Sequence, residues 1–224
     1  PQSSRNTIAS VLKQAEAAGV ESAWIVDHIA IPPDEAEGSG GRYLDPLTSL
    51  AWMAGQTQSI LIGTSVLILP YRPKLPTAKA IATIQELSGE RLLLGVGIGW
   101  MDPEFQALGV DRHQRGRLSD ETLAFLHECF DNDIVTANDQ RFLFKPRPAR
   151  PPIYIGGSAP HAIDRALKYG DGWLPMGHLD KIAPQIRQYR ERSEASQGKP
   201  GEVVTFATLP EGDVDRAREM ISRY

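Results

Sequence analysis

The chain has 224 residues, 41% of them hydrophobic, enough to bury one sizeable core, and it is read as one domain over 1–224. Its formal net charge of -4 and pI near 5.8 give no electrostatic ground for a nucleic-acid backbone or an anionic membrane as partner. A single cysteine excludes an internal disulfide, no apolar run approaches the roughly 20 residues that span a bilayer, and PQSSRN is no signal sequence, so a soluble protein of the reducing cytoplasm is expected.

Along the chain, Ile8, Val11, Leu12, Ala15 and Ala18 share one helical face, which predicts a helix over about 7–18 with Asn6 as cap and Gly19 as stop. SAWIVDHIAI predicts a strand over about 22–27. The acidic, glycine-rich IPPDEAEGSGGRY that follows is expected to be a mobile loop covering a pocket. DPLTSLAWMAGQT reads as a helix capped by Asp45 with Pro46 at its first position. ILIGTSVLI is the second strand. After the PYRP turn, Ala78, Ile81, Ala82, Ile84 and Leu87 mark a helix closing near Gly89, and RLLLGVGIG is the third strand. Leu118, Thr122, Phe125, Leu126 and Cys129 predict a helix over about 115–130, which makes Cys129 a buried small hydrophobe. RFLFKPRPAR reads as a proline-stiffened surface connector.

PIYIGG is the fourth strand, leading through Ser158 as expected cap into a helix with Ile163, Ala166 and Leu167 inward. DGWLPM is the fifth. Asp180 is expected to cap a helix with Ile182, Ile186 and Tyr189 inward; VVTFATLP is the sixth strand, and Val214, Ala217 and Ile221 define the last helix. Six strands alternating with helices, with no hairpin expected between any two, describe parallel βαβ units. An open doubly wound sheet and a closed (β/α)8 TIM-like barrel both fit that repeat. Polar or glycine-rich sequence after nearly every strand (DH, GTS, GIGW, GGS, LPMGH) favours the barrel, in which all strand ends meet at one mouth. A barrel needs eight strands, so the first and last are expected to be missing from this chain, as in a piece of a longer protein.

The third strand carries Gly95, Gly97 and Gly99 on one side, which leaves room for a flat ligand or another backbone. The spacing is GxGxG, so the dinucleotide fingerprint is not met. IGGSAPH (155–161) turns from strand to helix, and the amides at Gly156, Gly157 and Ser158 suit an anion such as phosphate. Asp27 and His28 end the first strand, where His28 suits proton transfer with Asp27 orienting it. The remaining histidines, His113, His127, His161 and His178, lack ligand spacing, so no metal is expected; nor is there a GxSxG elbow.

Taken together, DH at 27–28, GTSVL at 63–67, RLLLGVGIGW at 91–100, EFQALGV at 104–110, RGR at 115–117 and PPIYIGGSAPHAIDRALKYGDGWLP at 151–175 resemble the bacterial luciferase-like flavin monooxygenases. The likeness is closest to the branch that uses the deazaflavin coenzyme F420. It implies a TIM-like barrel with the flavin or deazaflavin ring across the strand ends, a cis peptide at Ser65–Val66 behind that ring, cofactor contacts from Ser65, Val66, Gly97, Ile98 and Gly99, and phosphate held by Gly156, Gly157 and Ser158. It also implies His28 as a catalytic residue, a dimer, and a segment between Asn138 and Phe142 shorter than in relatives. Two further catalytic residues of the F420-dependent sugar-phosphate dehydrogenases are unmatched, since Pro32 and Trp100 stand at those places. The activity expected from the resemblance is F420-dependent hydride transfer to or from a small organic substrate. FMN-dependent monooxygenation and a degenerate, non-enzymatic barrel are the alternatives.

Overall fold

Apolar residues at helical spacing alternate down the chain with short β-branched runs, and each pair packs as one βα layer. The computed structural model describes residues 4–208, 210 and 212–222. Its first half runs α1 (Arg5–Ala17), β1 (Ser22–Ile25), α2 (Pro46–Gln56), β2 (Leu61–Ile68), α3 (Lys74–Ser88), β3 (Leu92–Gly97), α4 (Asp102–Leu108) and α5 (Arg115–Asp131). The second half runs β4 (Ile134–Ala137), β5 (Gln140–Leu143), β6 (Ile153–Gly156), α6 (His161–Tyr169), β7 (Gly172–Leu174), α7 (Leu179–Gln197), β8 (Glu202–Val203) and α8 (Val214–Ser222).

Six strands form one sheet in the order β1-β2-β3-β6-β7-β8, and every pair in it is parallel. Each new strand is laid beside the one before it. A doubly wound sheet reverses direction at a switch point, and this order contains none, so the winding is that of a barrel. The expectation of no hairpin is corrected. β4 and β5 pair antiparallel through Asn138 and Asp139, both at positive φ, as a two-residue hairpin turn requires. RFLFKPRPAR is accordingly more than a connector, because it supplies β5 from Arg141 to Leu143 and the fully buried Phe144.

The core lies between sheet and helices. In β3, Leu92, Leu94 and Val96 point to the helices and are buried with Ile81 and Ala82 of α3, Leu126 and Cys129 of α5, and Ile163 and Ala166 of α6. The period of two then puts Gly95 and Gly97 on the opposite, inner side. Asp45 caps α2 by accepting from the Thr48 amide, with Pro46 at the first position, as expected. Ser4 rather than Asn6 caps α1, accepting from Thr7 N, and His178 rather than Asp180 is the residue before α7. Val11, Leu87 and Val214, placed inward by their spacing, are exposed. The sixth strand is only Glu202–Val203; Leu209 of VVTFATLP and the side chain of Ile221 lie outside the described residues.

The amino ends of the strands are tied by two side chains. Glu16 Oε1 accepts from the amides of Gln58, Ser59 and Ile60 at the start of β2. Those bonds, from Ser59 first, then Ile60 and Gln58, lower its carboxyl to about 2. Arg91, just before β3, donates to the carbonyls of Ala54, Thr57, Ile60 and Ser88. These two side chains tie the amino end of the sheet, and the segments that follow the strands at the other end carry the candidate site. Among the described residues no helix is long and apolar enough to cross a membrane.

Candidate functional site

At the carboxyl edge of β1, His28 keeps a fifth of its side chain exposed, and its Nδ1 lies 3.1 Å from Glu104 Oε2. Glu104 sits in the first turn of α4 and is 1% exposed. Its Oε1 accepts from the amides of Ile29 (2.6 Å) and Ala30 (3.0 Å), and its Oε2 accepts from the Tyr71 hydroxyl (2.8 Å). Burial alone would raise this carboxyl. The hydrogen bonds from Ala30, Ile29, Tyr71 and His28 outweigh it and hold Glu104 below its ordinary value, so it is ionised at neutral pH. Burial and the same carboxylate push the Tyr71 phenol well up, which keeps its proton in place as a donor.

Asp27 does not orient His28, contrary to expectation. Its side chain is fully buried and faces Arg72, which donates to both carboxylate oxygens at 2.6 and 2.9 Å, while Ile68 N donates at 2.9 Å. Arg72 also reaches Asp45 at 3.0 Å, tying the end of β2 to the start of α2. Asp27 is therefore a brace between β1 and β2, and Glu104 holds the place assigned to it. The His28 ring is flanked by Tyr43, with centroids 4.7 Å apart, and by Trp100, edge-on at 6.5 Å. Tyr43 comes from the loop expected to cover the pocket. Trp24 packs against Tyr154 and over Gly63.

The Ser65–Val66 peptide is cis, and the β2–β3 register shifts between Thr64 and Leu67. This bulge explains the glycines. A Cβ on Gly95 would stand 2.0 Å from the Thr64 carbonyl oxygen, and one on Gly97 would stand 2.5 Å from a Val66 methyl; one on Gly156 would stand 2.8 Å from the other methyl. Gly99, at φ 79°, lies against Ile68 and Phe105. Of the two uses expected for the room these glycines leave, the neighbouring backbone and its Val66 take it, not an open slot for a ligand. The glycines bring Ser65–Val66, Gly97 and Gly156 together at one place on the inner edge.

Around the turn after β6, the expected amide cradle is also revised. Gly157, at φ 124°, donates its N–H to the Leu174 carbonyl and accepts from Trp173 Nε1, and Ser158 does not cap α6 with its side chain. Ser158 remains exposed. A cleft of about 440 Å³ is lined by Ile98, His113, Arg115, His161, Arg165 and Lys168, among others, with Asp120 and Asp164 present as acids. Arg165 is paired with Asp120 at 2.6 Å and Arg192 with Asp164 at 2.8 Å. Ile98 thus faces this basic cleft rather than the glycine edge.

Large apolar side chains that the fold leaves exposed gather at the same edge: Val26 and Ile29 after β1, Leu44 before α2, Trp100 after β3, Met176 after β7 and Phe206 after β8. Sequence reasoning missed Glu104, Tyr71, Arg72, Tyr43 and the cations of the cleft. Glu104 carried one signal, an acid in WMDPEF beside the fully buried Phe105, but its partners lie 33 to 76 residues away.

A family model described as luciferase-like monooxygenase matches residues 1–223. An uncharacterized protein of Mycobacterium tuberculosis is 29% identical over 213 residues, covering 85% of this chain and 73% of the relative. An F420-dependent hydroxymycolic acid dehydrogenase of the same organism is 31% identical, covering 83% of this chain and 53% of its own length. An FMNH(2)-dependent dimethylsulfone monooxygenase of Pseudomonas fluorescens is 28% identical, covering 77% and 54%. The chain thus spans about half the length of the latter two. The crystal structure of a Streptomyces bottropensis monooxygenase superposes with a TM-score of 0.76 at 19% identity, covering 99% of this chain and 75% of that one.

Proposed function

Since the chain belongs to the luciferase-like monooxygenase family, we propose that it is an F420-dependent oxidoreductase that moves a hydride between the deazaflavin and a small, largely apolar organic substrate. The observation that carries this reading is His28: a partly exposed imidazole, hydrogen-bonded to a buried ionised carboxylate, at a strand edge rimmed by exposed apolar side chains. The residues fit such a coenzyme in their chemistry. Val66, Trp100 and Met176 offer apolar surface to a planar ring, and the cleft along α5 and α6 offers Arg115 and Lys168 to a phosphate, beside an Arg165 already paired with Asp120. When bound, the deazaflavin supplies the two-electron chemistry.

The protein's own part is proton management, placement and exclusion of water. His28 accepts a proton from a substrate hydroxyl or returns one to a carbonyl oxygen, according to the direction of reaction. Glu104 holds the ring in place, and Tyr43 and Trp100 restrict its movement. The exposed apolar rim disfavours a strongly charged substrate, whose desolvation there would have no compensating partner.

FMN-dependent monooxygenation is the second reading, favoured by the 28% identity to the FMNH(2)-dependent monooxygenase. Equilibrium titration separates the two. The account expects saturable binding of F420, followed by fluorescence quenching, and weaker binding of FMN; tight FMN binding with no F420 binding would establish the second reading, and binding of neither would overturn both.

A further inference from the structure

We infer that Glu104 is a positioning residue that fixes His28 as the Nδ1–H tautomer, so that Nε2 is the ring nitrogen that accepts the substrate's proton. The inference deepens the reading of His28 above and rests on it. An ionised carboxylate has only acceptor sites. With Glu104 Oε2 3.1 Å from Nδ1, that nitrogen is the donor, and in the neutral ring the lone pair belongs to Nε2.

The carboxylate cannot turn to evade this. Oε1 is held by two backbone amides, Ile29 and Ala30, on the segment that directly follows His28, and Oε2 is held by the Tyr71 hydroxyl. The residue that orients the ring is thus also fixed to the ring's own loop. Tyr71 is itself wedged edge-on against Phe105, the next residue along α4, with centroids 5.1 Å apart. Donors to both oxygens keep the group ionised while it is buried, and an ionised partner selects one tautomer in a way that a neutral one would not.

The same geometry gives an unusual expectation for Glu104→Gln. Two amide donors face Oε1, so the carboxamide oxygen must take that position. The NH2 group is then placed at the Oε2 position, where one hydrogen is donated to Nδ1 and the other to the Tyr71 oxygen, whose hydroxyl changes from donor to acceptor. The substitution therefore inverts the tautomer instead of merely loosening the ring. Nε2 becomes the N–H nitrogen, and the outward lone pair is lost.

The test is long-range 1H–15N correlation spectroscopy of the 15N-histidine-labelled protein without coenzyme, above the pH at which the histidines titrate. His28 is assigned by its disappearance in His28→Asn. The wild-type protein is expected to show a pyrrole-type Nδ1 and a pyridine-type Nε2, Glu104→Gln the reverse, and Glu104→Asp a partial return to the wild-type pattern. A wild-type ring protonated at Nε2 overturns the proposal without any variant, so a failure of Glu104→Gln to fold does not protect it. An unchanged tautomer in folded Glu104→Gln overturns it equally. Because these spectra need no coenzyme, their outcome is independent of the F420 and FMN titrations that test the function.

Discussion

Removing Arg72 leaves the carboxylate of Asp27 without its cation in a place water does not reach. In Arg72→Met the aliphatic part of the side chain is kept, while two hydrogen bonds to Asp27, at 2.6 and 2.9 Å, are lost. Breaking a buried ion pair by removing one partner costs about 3–5 kcal/mol. The Ile68 amide still donates to Asp27, so the lower end applies, and about 3 kcal/mol lowers the melting temperature of a chain this size by roughly 6–12 °C. Scanning calorimetry with parallel urea unfolding measures the loss. Asp27→Asn added to Arg72→Met should then recover part of it, because the neutral amide has no stranded charge, with a coupling of about 1 kcal/mol or more. A loss within the roughly 0.5 kcal/mol of an ordinary surface change, or strict additivity of the two, would refute the view of Asp27 as a brace held by Arg72.

Gly97→Ala puts a methyl group 2.5 Å from Val66, whose other methyl already rests against Gly156, so a loss of about 1–3 kcal/mol is expected in urea unfolding. Gly55→Ala, inside α2 with nothing within 4 Å of the new group, should gain up to about 1 kcal/mol in the same assay. Glu16 has an ordinary carboxyl value of 4.5 when unfolded and about 2 when folded, so its contribution to stability is complete above pH 4.5 and is lost as the pH falls to about 2. The stability gap between the wild-type protein and Glu16→Gln should therefore be widest above pH 4.5 and close toward pH 2; a gap that widens on acidification would contradict the amide cage.

The parallel βα order, α2 with its Asp45 cap, α5 and the positions of β2, β3 and β6 were legible because each depends on local spacing or on a cap within a few residues. The hairpin escaped notice because Asn138-Asp139 is a weaker turn signal than a glycine pair, and its flanking strands are only four residues each. At the candidate site, the placement of His28 at the strand edge and the meeting of Ser65–Val66 with Gly97 and Gly156 were legible, since both follow from strand ends sharing one edge. The expected partner of His28, Asp27, was the wrong one. Asp27 is its neighbour in the chain, yet consecutive residues near a strand end point to opposite sides, and Asp27 turned to Arg72 while His28 met an acid 76 residues later. Likewise, glycines on β3 signalled a close approach without stating of what. Only the bulge in β2 identifies the approaching group as Val66 and the Thr64 carbonyl.

The most direct test of the account is a crystal structure of the protein with F420 soaked or co-crystallised. The account predicts the deazaflavin ring against Val66 with His28 Nε2 facing its reactive edge, and its phosphate in the cleft of Arg115 and Arg165. Coenzyme density away from both His28 and that cleft, in a crystal where the carboxyl edge of the sheet is open to solvent, would contradict it.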